Sequence, residues 1–587
     1  MKRTLSLLLA MVMMFGAALS LTACGEPKDA GAEISVYLGN QVYDFDPTDY
    51  YVDSNAEQVM ALLYEPLFKI NSDGELKCAA AKDYEVKTKS RKIIINLRET
   101  YWSDELRVTA ADFIYAWRDR IIEPNNANPA AALFYDIENA LEIKSGNESV
   151  FSFGVEATGT YQLTITYREG ANYKQLLKNL ASVATAPVRE NVVYNQETYW
   201  TKDVSTIVTN GPFRIEAFNV ELGEFTLSRN LGYHQKPTAK DYTDKVNPAS
   251  LITFVASNGE ERVLTYADVQ NKTVFYLGEA PLEDRAANVK KAKCKDDFST
   301  YTYVFNTEKA PFDDANVRRA LSLALDREGI ASAVTFAKAA NGFLPNAVAK
   351  SIYGSKVSAR ISTTANMELA QSLINDAALT AEEKAFTLTV NNDEESIKIA
   401  EMAKAAWEEL GFTVKIKAVD SKSHKIPDPI KDGETMTIVD SEIQTIVKDA
   451  SLGNRDFDII AVDWQMYSSD AFVALAAFSS TMNGNGASFD KFGQVTNRTS
   501  LGGWTNTDYD GYLNAAYTAA TKSERKEALK SAEALLLESA AVIPVVYNQN
   551  FAFINKDLSK VSFDGFGNFV FTNAKLKNYR KYLEKED

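Results

Sequence analysis

The chain has 587 residues, with 79 acidic against 63 basic side chains and a formal net charge of −16. Hydrophobic residues make up 45% and charged residues 24%, which is typical of a globular protein and excludes a disordered chain. At roughly 100–200 residues per domain, the length predicts three or four domain-sized units. The acidic balance argues against a nucleic-acid partner, because binding phosphates requires a basic surface.

The first 24 residues are typical of an exported chain. Lys2 and Arg3 precede a mostly apolar run, and Leu21-Thr22-Ala23 ends it directly before Cys24. A run this short that ends at small residues indicates a signal peptide over residues 1–23 rather than a membrane span. The ending also resembles the bacterial lipobox, which implies acylation of Cys24 and a lipid anchor in the membrane. The alternative is an ordinary secretory leader with an incidental cysteine.

Residues 24–33 are small, polar and unpatterned, which predicts a tether. Cys78 and Cys294 are far apart along the chain, and the sequence leaves open whether they pair. Neither has a nearby cysteine or histidine at metal-ligand spacing, so we expect no metal site.

Hydrophobic patterning predicts several short strands and a capped helix in the first third of the chain. Residues 34–38 and 93–97 are rich in β-branched and apolar side chains, and residues 161–167 alternate as a half-buried strand does. Thr109 and Asp112 have the spacing of a capping box, which predicts a helix beginning there.

The later part of the chain predicts a strand–helix–strand unit. Residues 386–390 and 414–418 have strand character, and residues 394–410 between them have helical periodicity. Such a unit implies a parallel sheet covered by helices, so we predict an α/β fold with several sheets. Two inserts, residues 420–437 and 480–503, show no clear pattern.

The sequence offers little material for catalysis. It has no phosphate-binding GxxxxGK[ST] loop, no HExxH, no GxSxG and no CxxC. Most acid–base mechanisms depend on histidine, and His234 and His424 are the only two in the sequence. We interpret both as packed or solvated side chains. The adjacent acids Glu394-Glu395 are interpreted as surface residues that favour a helix N-terminus.

One enzyme-like match is present and weak. Ser523-Glu-Arg-Lys526 fits the SxxK motif of penicillin-binding serine hydrolases, and Lys144-Ser145-Gly146 resembles their KTG element. The order along the chain is reversed, since the KTG element should follow SxxK. Ser523 is better explained as the N-cap of an amphipathic helix over residues 523–539.

Five stretches together resemble the extracellular solute-binding proteins of family 5, the oligopeptide-binding lipoproteins of peptide ABC transporters. They are Phe45-Asp46-Pro47 with Leu63-Tyr64-Glu65-Pro66-Leu67; Ile94-Ile95-Asn96-Leu97-Arg98 with Trp102-Ser103-Asp104, Val108-Thr109-Ala110-Ala111-Asp112-Phe113 and Trp117-Arg118; Thr209-Asn210-Gly211-Pro212-Phe213; Tyr303-Val304-Phe305-Asn306 with Ala310-Pro311-Phe312-Asp313-Asp314 and Ala324-Leu325-Asp326-Arg327; and Phe457-Asp458-Ile459 to Trp464 with Ile543-Pro544-Val545. Their order extends over nearly the whole mature chain. Many of these residues, such as Phe113, Trp117 and Asp326-Arg327, are expected to be packing and ion-pair positions rather than ligand contacts.

The resemblance implies a two-lobed, type II periplasmic-binding-protein-like fold with an extra domain and a hinged cleft. By analogy, lobe 1 would comprise residues 34–66, 188–298 and 547–587; the extra domain beside it residues 67–187; and lobe 2 residues 299–546. The two crossovers near Phe298 and Val546 would form the hinge.

The resemblance also implies the function. Such a receptor would capture oligopeptides or peptide-like solutes in the cleft and deliver them to an ABC permease. The peptide main chain would pair with strand edges, and water would fill roomy side-chain pockets. No catalysis and no cofactor are implied. We expect a monomer anchored to the outer face of the bacterial cell membrane, or in the periplasmic space.

The chain departs from its relatives at one binding position. A motif resembling W-x-x-D-Y-x-D-P, whose first aspartate holds the peptide's α-ammonium group, corresponds here to residues 464–471. Trp464 and Asp470 match, whereas Tyr467 replaces the ammonium-binding aspartate; Asp463 directly precedes the tryptophan. Either Asp463 or Asp470 serves the amine, or the ligand lacks a free N-terminus, or a local loop shift misaligns one residue.

Further cleft residues are carried over from the resemblance. They are Tyr51, Val52, Asp53, Phe275, Tyr276, Tyr301 and Tyr303. Aromatic side chains offer broad apolar contact with a polar tip. Each of these residues could instead belong to the core.

Three other functions remain as alternatives. The same fold could bind a non-peptide solute, such as a sugar, an opine or a metal chelate, which the Tyr467 substitution makes plausible. It could act as a surface sensor without transport. The remote alternative is the serine hydrolase suggested by Ser523.

Overall fold

The computed structural model describes residues 31–39, 42–49, 54–194, 200–202, 204–219, 224–239, 245–255, 263–428 and 433–583. An 11-stranded mixed sheet organises this part of the chain. We number its strands in chain order: β1 Glu33–Gly39, β2 Phe213–Asn219, β3 Glu224–Arg229, β4 Ser250–Val255, β5 Tyr276–Leu277, β6 Lys293–Phe305, β7 Ala337–Ala339, β8 Ala385–Asn391, β9 Thr413–Val419, β10 Ile459–Gln465 and β11 Val542–Ile554. The α/β prediction is confirmed.

Two long antiparallel strands, β6 and β11, join the two halves of the sheet. The spatial order is β9-β8-β10-β6-β11-β5-β1-β4-β3-β2, with β7 paired to β11. Strands from the beginning of the chain therefore lie on one side of the β6–β11 pair, and β8 to β10 lie on the other. The register of β6 against β11 is irregular between Asp296 and Thr300, close to Phe298. Hinge motion at this position, and the lobe boundaries given above, stay predictions.

Helices surround the sheet. The α-helices are Ser54–Leu63, Ala110–Ile114, Ala140–Lys144, Tyr173–Asn179, Glu190–Val193, Tyr266–Asn271, Leu282–Asn288, Ala315–Leu323, Arg327–Val334, Asn346–Tyr353, Met367–Ala377, Glu394–Glu409, Glu442–Ser451, Ala471–Ala476, Thr507–Thr518, Lys522–Glu538 and Arg580–Leu583. A π-helical segment, Tyr115–Ile122, continues the second of these, and short 3-10 turns occupy Thr88–Ser90, Pro129–Phe134, Val150–Ser152, Val183–Thr185 and Val289–Lys291.

The strand–helix–strand unit forms as predicted. β8 and β9 are parallel, in register from Ala385 opposite Thr413, and the helix Glu394–Glu409 connects them. Its buried face contains Ala400, Ala403 and Trp407, spaced at three and four residues so that they point the same way. This helix covers one face of the sheet and places its first turn at the end of β8.

A separate four-stranded sheet lies within the first third of the chain. Its order is Ala81–Lys87, Lys92–Leu97, Gln162–Thr166 and Val155–Gly159. The predicted capping box beside it is present: the main-chain nitrogen of Thr109 donates to Asp112 Oδ2 at 2.8 Å. Smaller pairs of strands are Phe68–Ile70 with Leu76–Cys78, Leu558–Ser559 with Lys575–Leu576, and Ser562–Phe563 with Phe569–Val570.

The two unpatterned inserts contain antiparallel hairpins. Ser421–Pro427 pairs with Thr435–Ser441, and Ala487–Phe489 pairs with Val495–Asn497. The sequence does not predict the strand Ser421–Pro427, because most of its side chains are exposed and it therefore lacks a hydrophobic alternation. We call the first hairpin, residues 421–441, the cleft hairpin.

The predicted N-cap at Ser523 is wrong. Thr521 caps the helix Lys522–Glu538, its side chain accepting from the main-chain nitrogen of Glu524 at 3.2 Å. Ser523 is an exposed residue of the first helical turn. Lys144, from the KTG-like match, is buried and donates to the main-chain oxygen of Ile121 at 2.7 Å. Both residues therefore have local structural explanations.

Several motif residues serve the fold, as expected. Asn210 makes two hydrogen bonds to the main chain of Glu65, accepting from its nitrogen at 3.0 Å and donating to its oxygen at 2.8 Å. Phe113 and Trp117 pack edge to face in the core. Arg327 is buried, and its donors bond main-chain carbonyl oxygens where an ion pair was expected, while Asp326 caps the helix that follows. These buried polar groups are all paired, which is the condition for burying them cheaply.

The two histidines and the two later cysteines have ordinary environments. His234 Nε2 lies 2.5 Å from Glu65 Oε1, and His424 is exposed on the cleft hairpin. Cys78 and Cys294 are both free thiols. Among the described residues, none of the helices combines the length and apolar character that a membrane crossing requires.

Candidate ligand-binding cleft

A cavity of about 980 Å³ lies between the two halves of the central sheet. Residues 37–39 of β1, Tyr276 and residues 278–281 line it from one half, and residues 391–397 and 461–463 line it from the other. Residues 548–551 of β11 contribute the wall between them. A solute held here would contact both halves at once.

Three neighbouring strands build the wall beside Asp463. Tyr301 of β6 and Asp463 of β10 are directly opposite each other in the antiparallel pair. Asn548 of β11 donates through Nδ2 to Asp463 Oδ1 at 2.6 Å. The carboxylate thus has a fixed position at the cavity wall, close to the irregular register of β6.

The first turn of the helix Glu394–Glu409 adds further carboxylates to this wall. Asp393 caps the helix, accepting from the main-chain nitrogen of Ser396 at 2.8 Å. Glu395 forms an ion pair with Arg285 and lines the cavity. The interpretation of Glu395 as a surface residue is therefore wrong. Free amides at a helix start favour acids there, and the fold directs this particular start inward.

These carboxylates perturb one another. Burial raises the pKa of Asp463 to about 8; the hydrogen bond from Asn548 opposes this, and the charges of Glu395, Asp393 and Asp297 add to it. Burial likewise raises the pKa of Glu395 to about 7, against the opposing effect of Arg285. Burial raises the pKa of Asp297 to about 6. A positive group placed among them would favour their ionised forms.

Ion pairs among other residues of the cavity lining connect the two halves. Lys202 lies 3.2 Å from Asp44 Oδ2 and 3.0 Å from Asp440 Oδ1, so it joins the first half of the molecule to the cleft hairpin. Lys448 Nζ lies 2.5 Å from Asp49 Oδ2, which makes a second connection between the halves. The two halves are therefore held together around the cavity in this structure.

Three of the predicted ligand-binding residues line the cavity: Asp463, Tyr276 and Tyr301. Tyr276 packs edge to face against Phe569 and Phe571, with ring centroids 5.0 Å apart in each pair. Whether these three side chains contact a ligand stays a prediction.

Three other predicted aromatic residues are part of the core and do not line this cavity. Trp464 is 4% exposed and stacks on Phe478, with ring centroids 4.7 Å apart. Tyr303 is fully buried and packs on Trp407, and Phe275 is 4% exposed. Side chains on β10 alternate between faces, so Trp464 points away from the cavity that its neighbour Asp463 lines. Tyr303 shares a face with Tyr301 but lies two residues further along β6, against Trp407 of the covering helix. For Tyr303 and Phe275, the alternative that the side chain belongs to the core is therefore confirmed.

The replaced motif positions also lie away from the cavity lining. Tyr467 is 3% exposed, has φ of +53°, and lies beside Pro47 and Thr48. Asp470 caps the helix Ala471–Ala476 and pairs with Arg525, whose Nη2 lies 2.7 Å from its Oδ2. Of the two carboxylates considered for a ligand amine, only Asp463 reaches the cavity.

Four predicted positions lie outside the described residues. They are Tyr51, Val52 and Asp53 of the predicted cleft and the lipidation position Cys24.

Sequence reasoning missed several charged residues of the cavity. Arg285, Asp297, Asp393 and Lys202 all line it, and none belongs to a quoted motif. Asp393 carried a usable signal, because an aspartate before Glu394 is a favourable N-cap at a helix that begins directly after a strand. The other three are brought in by tertiary contacts alone.

Comparisons with known proteins agree with this architecture. The profile described as bacterial extracellular solute-binding proteins, family 5 Middle, matches residues 75–486. The chain is 26% identical over 541 residues to the oligopeptide-binding protein OppA of Bacillus subtilis (strain 168), covering 89% of each chain. It is 24% identical over 505 residues to the probable deoxycholate-binding periplasmic protein YgiS of Escherichia coli (strain K12), covering 84% of each.

Solved structures show the same fold. The pheromone receptor PrgZ superposes with a TM-score of 0.75 at 21% identity, covering 93% of this chain and 100% of that one. Haemophilus influenzae OppA in complex with RPPGFSPFR superposes with a TM-score of 0.73 at 21% identity, covering 93% of this chain and 99% of that one. The profile match spans more than half of the chain, so the protein belongs to the bacterial extracellular solute-binding proteins of family 5, which are non-catalytic receptors.

Proposed function

We propose that this protein is an exported receptor that captures peptides in the cleft between its halves and delivers them to an ABC permease. The observation that carries the proposal is the cavity of about 980 Å³ between two halves that are joined by β6 and β11. Its size is at the upper end of the range for small-molecule sites. The oligopeptide-binding protein of Bacillus subtilis, similar over most of its length, supports a peptide as the ligand.

Closure of the two halves around the peptide would distinguish the loaded receptor from the empty one. A peptide that contacts both walls favours the closed arrangement only through contacts that the open arrangement lacks. The bridges from Lys202 and Lys448 supply interlobe contacts that stabilise such an arrangement. The permease would then recognise the closed form.

Asp463 is the best-placed partner for the α-ammonium group of a peptide. It lines the cavity, and Asn548 is its hydrogen-bond donor. Asp470 is occupied by Arg525 and its helix cap. A charge-assisted bond to Asp463 would take over the role that relatives assign to the aspartate replaced by Tyr467. The ligand would then keep its free N-terminus.

Isothermal titration with tri- to pentapeptides and their N-acetylated forms tests both statements. We expect free peptides to bind and acetylation to weaken binding about tenfold or more, as the loss of a charged hydrogen bond does. Asp463→Asn should remove this difference, and Asp470→Asn should retain it. Equal affinity of free and acetylated peptides would exclude Asp463 as the amine partner, and failure of every peptide to bind would contradict a peptide receptor.

A non-peptide solute is the second candidate function. The observation in its favour is the similarity to a protein named as a probable deoxycholate-binding one. Deoxycholate is an anion, however, and the cavity of the present chain is rich in carboxylates. Mass spectrometry of small molecules that co-purify with the protein would decide between a peptide and another solute.

The lipid anchor completes the proposal. Acylation at Cys24 would hold the receptor at the outer face of the membrane, near the permease, without a membrane-spanning segment. Cys24→Ser should move the protein from the membrane fraction to the soluble fraction while peptide affinity stays the same. An unchanged distribution would instead indicate an ordinary secretory leader. A sensor without transport would show peptide binding but no permease-dependent uptake.

A further inference from the structure

Acidic side chains far outnumber basic ones in the cavity lining. Its acidic members are Asp44, Asp49, Glu279, Asp297, Asp393, Glu394, Glu395, Asp420, Asp440, Asp449 and Asp463. Its basic members are Lys202, Arg285 and Lys448. A cleft with low-dielectric walls and one sign of charge concentrates ligands of the opposite sign.

The basic side chains already have carboxylate partners. Arg285 pairs with both Glu279 and Glu395. Lys202 pairs with Asp44 and Asp440, and Lys448 pairs with Asp49. Their charges are thus engaged within the protein and do not offset the remaining acids.

Three carboxylates at the inner wall have no such partner. Among the described residues, no lysine or arginine nitrogen lies within ion-pair distance of Asp297, Asp393 or Asp463. Neutral donors hydrogen-bond to each of them: Ser299 to Asp297, Ser396 to Asp393, and Asn548 to Asp463. Asp297 is only 4% exposed and yet lines the cavity. Carboxylates removed from water are costly unless a cation compensates them.

Aromatic rings lie around the same space. Tyr276, Tyr301, Phe336, Phe551 and Phe569 all line it. Such rings can cover the apolar stem of a lysine or arginine and attract its charged end. Phe551 already does this for Arg285, whose guanidinium carbon lies 5.0 Å from the ring centroid.

Resting on the proposed function, we propose that this receptor selects cationic peptides, those with a lysine or arginine side chain in addition to the α-ammonium group. One ammonium group would bind Asp463, and the second positive charge would lie against the wall of Asp297 and Asp393. The three unmatched acids come from different elements that meet at this wall: Asp297 from β6, Asp463 from β10, and Asp393 from the helix start that follows β8.

Titration of the unmodified protein with a charge series tests the proposal. The probes are tetra-alanine peptides in which one position at a time is lysine, glutamine or glutamate, all with a free N-terminus. At the favoured position we expect lysine to bind about tenfold more tightly than glutamine, and glutamate to bind weakest. Higher ionic strength should reduce the difference in affinity between the lysine and glutamine peptides, because salt screens the attraction between the lysine side chain and the carboxylates.

The outcomes separate this proposal from the proposed function. Similar dissociation constants for the lysine, glutamine and glutamate peptides would overturn charge selection and leave a peptide receptor intact. No binding by any of these peptides, nor by the mixed peptides above, would overturn the peptide receptor itself.

Two matched variants locate the charge. Asp393→Asn and Asp314→Asn both replace a helix N-cap by a residue that keeps the capping oxygen, but only Asp393 lines the cavity. We expect Asp393→Asn to reduce the preference for lysine over glutamine, and Asp314→Asn to leave it unchanged. An equal effect of both variants would contradict a direct role for the inner wall.

Discussion

At the scale of single residues, Asp463 and Trp464 show how one step along a strand separates two roles. Asp463 lines the cavity, and Trp464 packs on Phe478 in the core. Trp464 matches the motif and Asp463 directly precedes it, and both are candidates from sequence alone. Alternation of side chains across β10 assigns them to opposite faces.

Asp463 should lower stability as it ionises. Its pKa is about 8 in the folded protein and about 4 in an unfolded chain, so the folded state holds the proton more tightly. Stability is therefore full below pH about 4 and falls as the pH rises towards 8. Asp463→Asn should remove part of this loss and raise the free energy of unfolding by at least about 1 kcal/mol at pH 8, since one pKa unit corresponds to about 1.4 kcal/mol.

Urea unfolding of the wild type and Asp463→Asn at pH 5 and pH 8 measures this effect. Asp314→Asn is the control and should shift stability equally at both pH values. A stability difference between wild type and Asp463→Asn that does not grow with pH would show that Asp463 ionises normally.

Trp464 should matter for stability more than for binding. Trp464→Ala should lower the free energy of unfolding by about 3–5 kcal/mol, as truncation of a buried aromatic does. Trp464→Phe should cost less and keep peptide affinity within about twofold, because the ring does not line the cavity. If Trp464→Phe folds normally but loses peptide binding, the tryptophan acts on the ligand and its core assignment is wrong.

At the scale of elements, the cleft hairpin is the part whose position depends most on charge. Most of its side chains are exposed, and Lys202 ties its Asp440 to Asp44 of the opposite half. Tyr43 adds a longer contact to Asp420, at 3.5 Å. An element with few buried contacts is expected to open more easily than the sheet.

Lys202→Met should therefore loosen the hairpin. The substitution keeps much of the side-chain volume but leaves Asp44 and Asp440 without their shared cation. Hydrogen exchange of main-chain amides in residues 421–441 should become faster, while exchange in β6 and β11 should not change. Lys417→Met is the control, because its exposed pair with Glu442 does not involve the opposite half; equal acceleration in both variants would exclude an interlobe bridge.

At the scale of the whole molecule, two halves joined by β6 and β11 are suited to closing around a solute. An excess of a peptide that the protein binds should lower the radius of gyration measured by small-angle X-ray scattering and raise the unfolding temperature. Stabilisation of about 2.7 kcal/mol is expected at a free peptide concentration of 100 times Kd. Stabilisation without any change in radius would indicate that the halves are already closed before the ligand binds.

Local patterns in the sequence determined the α/β class, the strand–helix–strand unit between residues 385 and 419 and the capping box at Thr109. Each depends on residues that are near one another along the chain, where periodicity and hydrogen-bonding spacing act directly. Motif order also determined the family, because those motifs are largely buried fold-forming residues such as Asn210 and Arg327. The register of β6, β10 and β11, in contrast, was decided only by tertiary pairing. That pairing, with β8 beside β10, places Asp297, Asp393 and Asp463 around one cavity. More than 160 positions separate Asp297 from Asp463 along the chain, so their mutual repulsion and burial arise only once folding makes them neighbours.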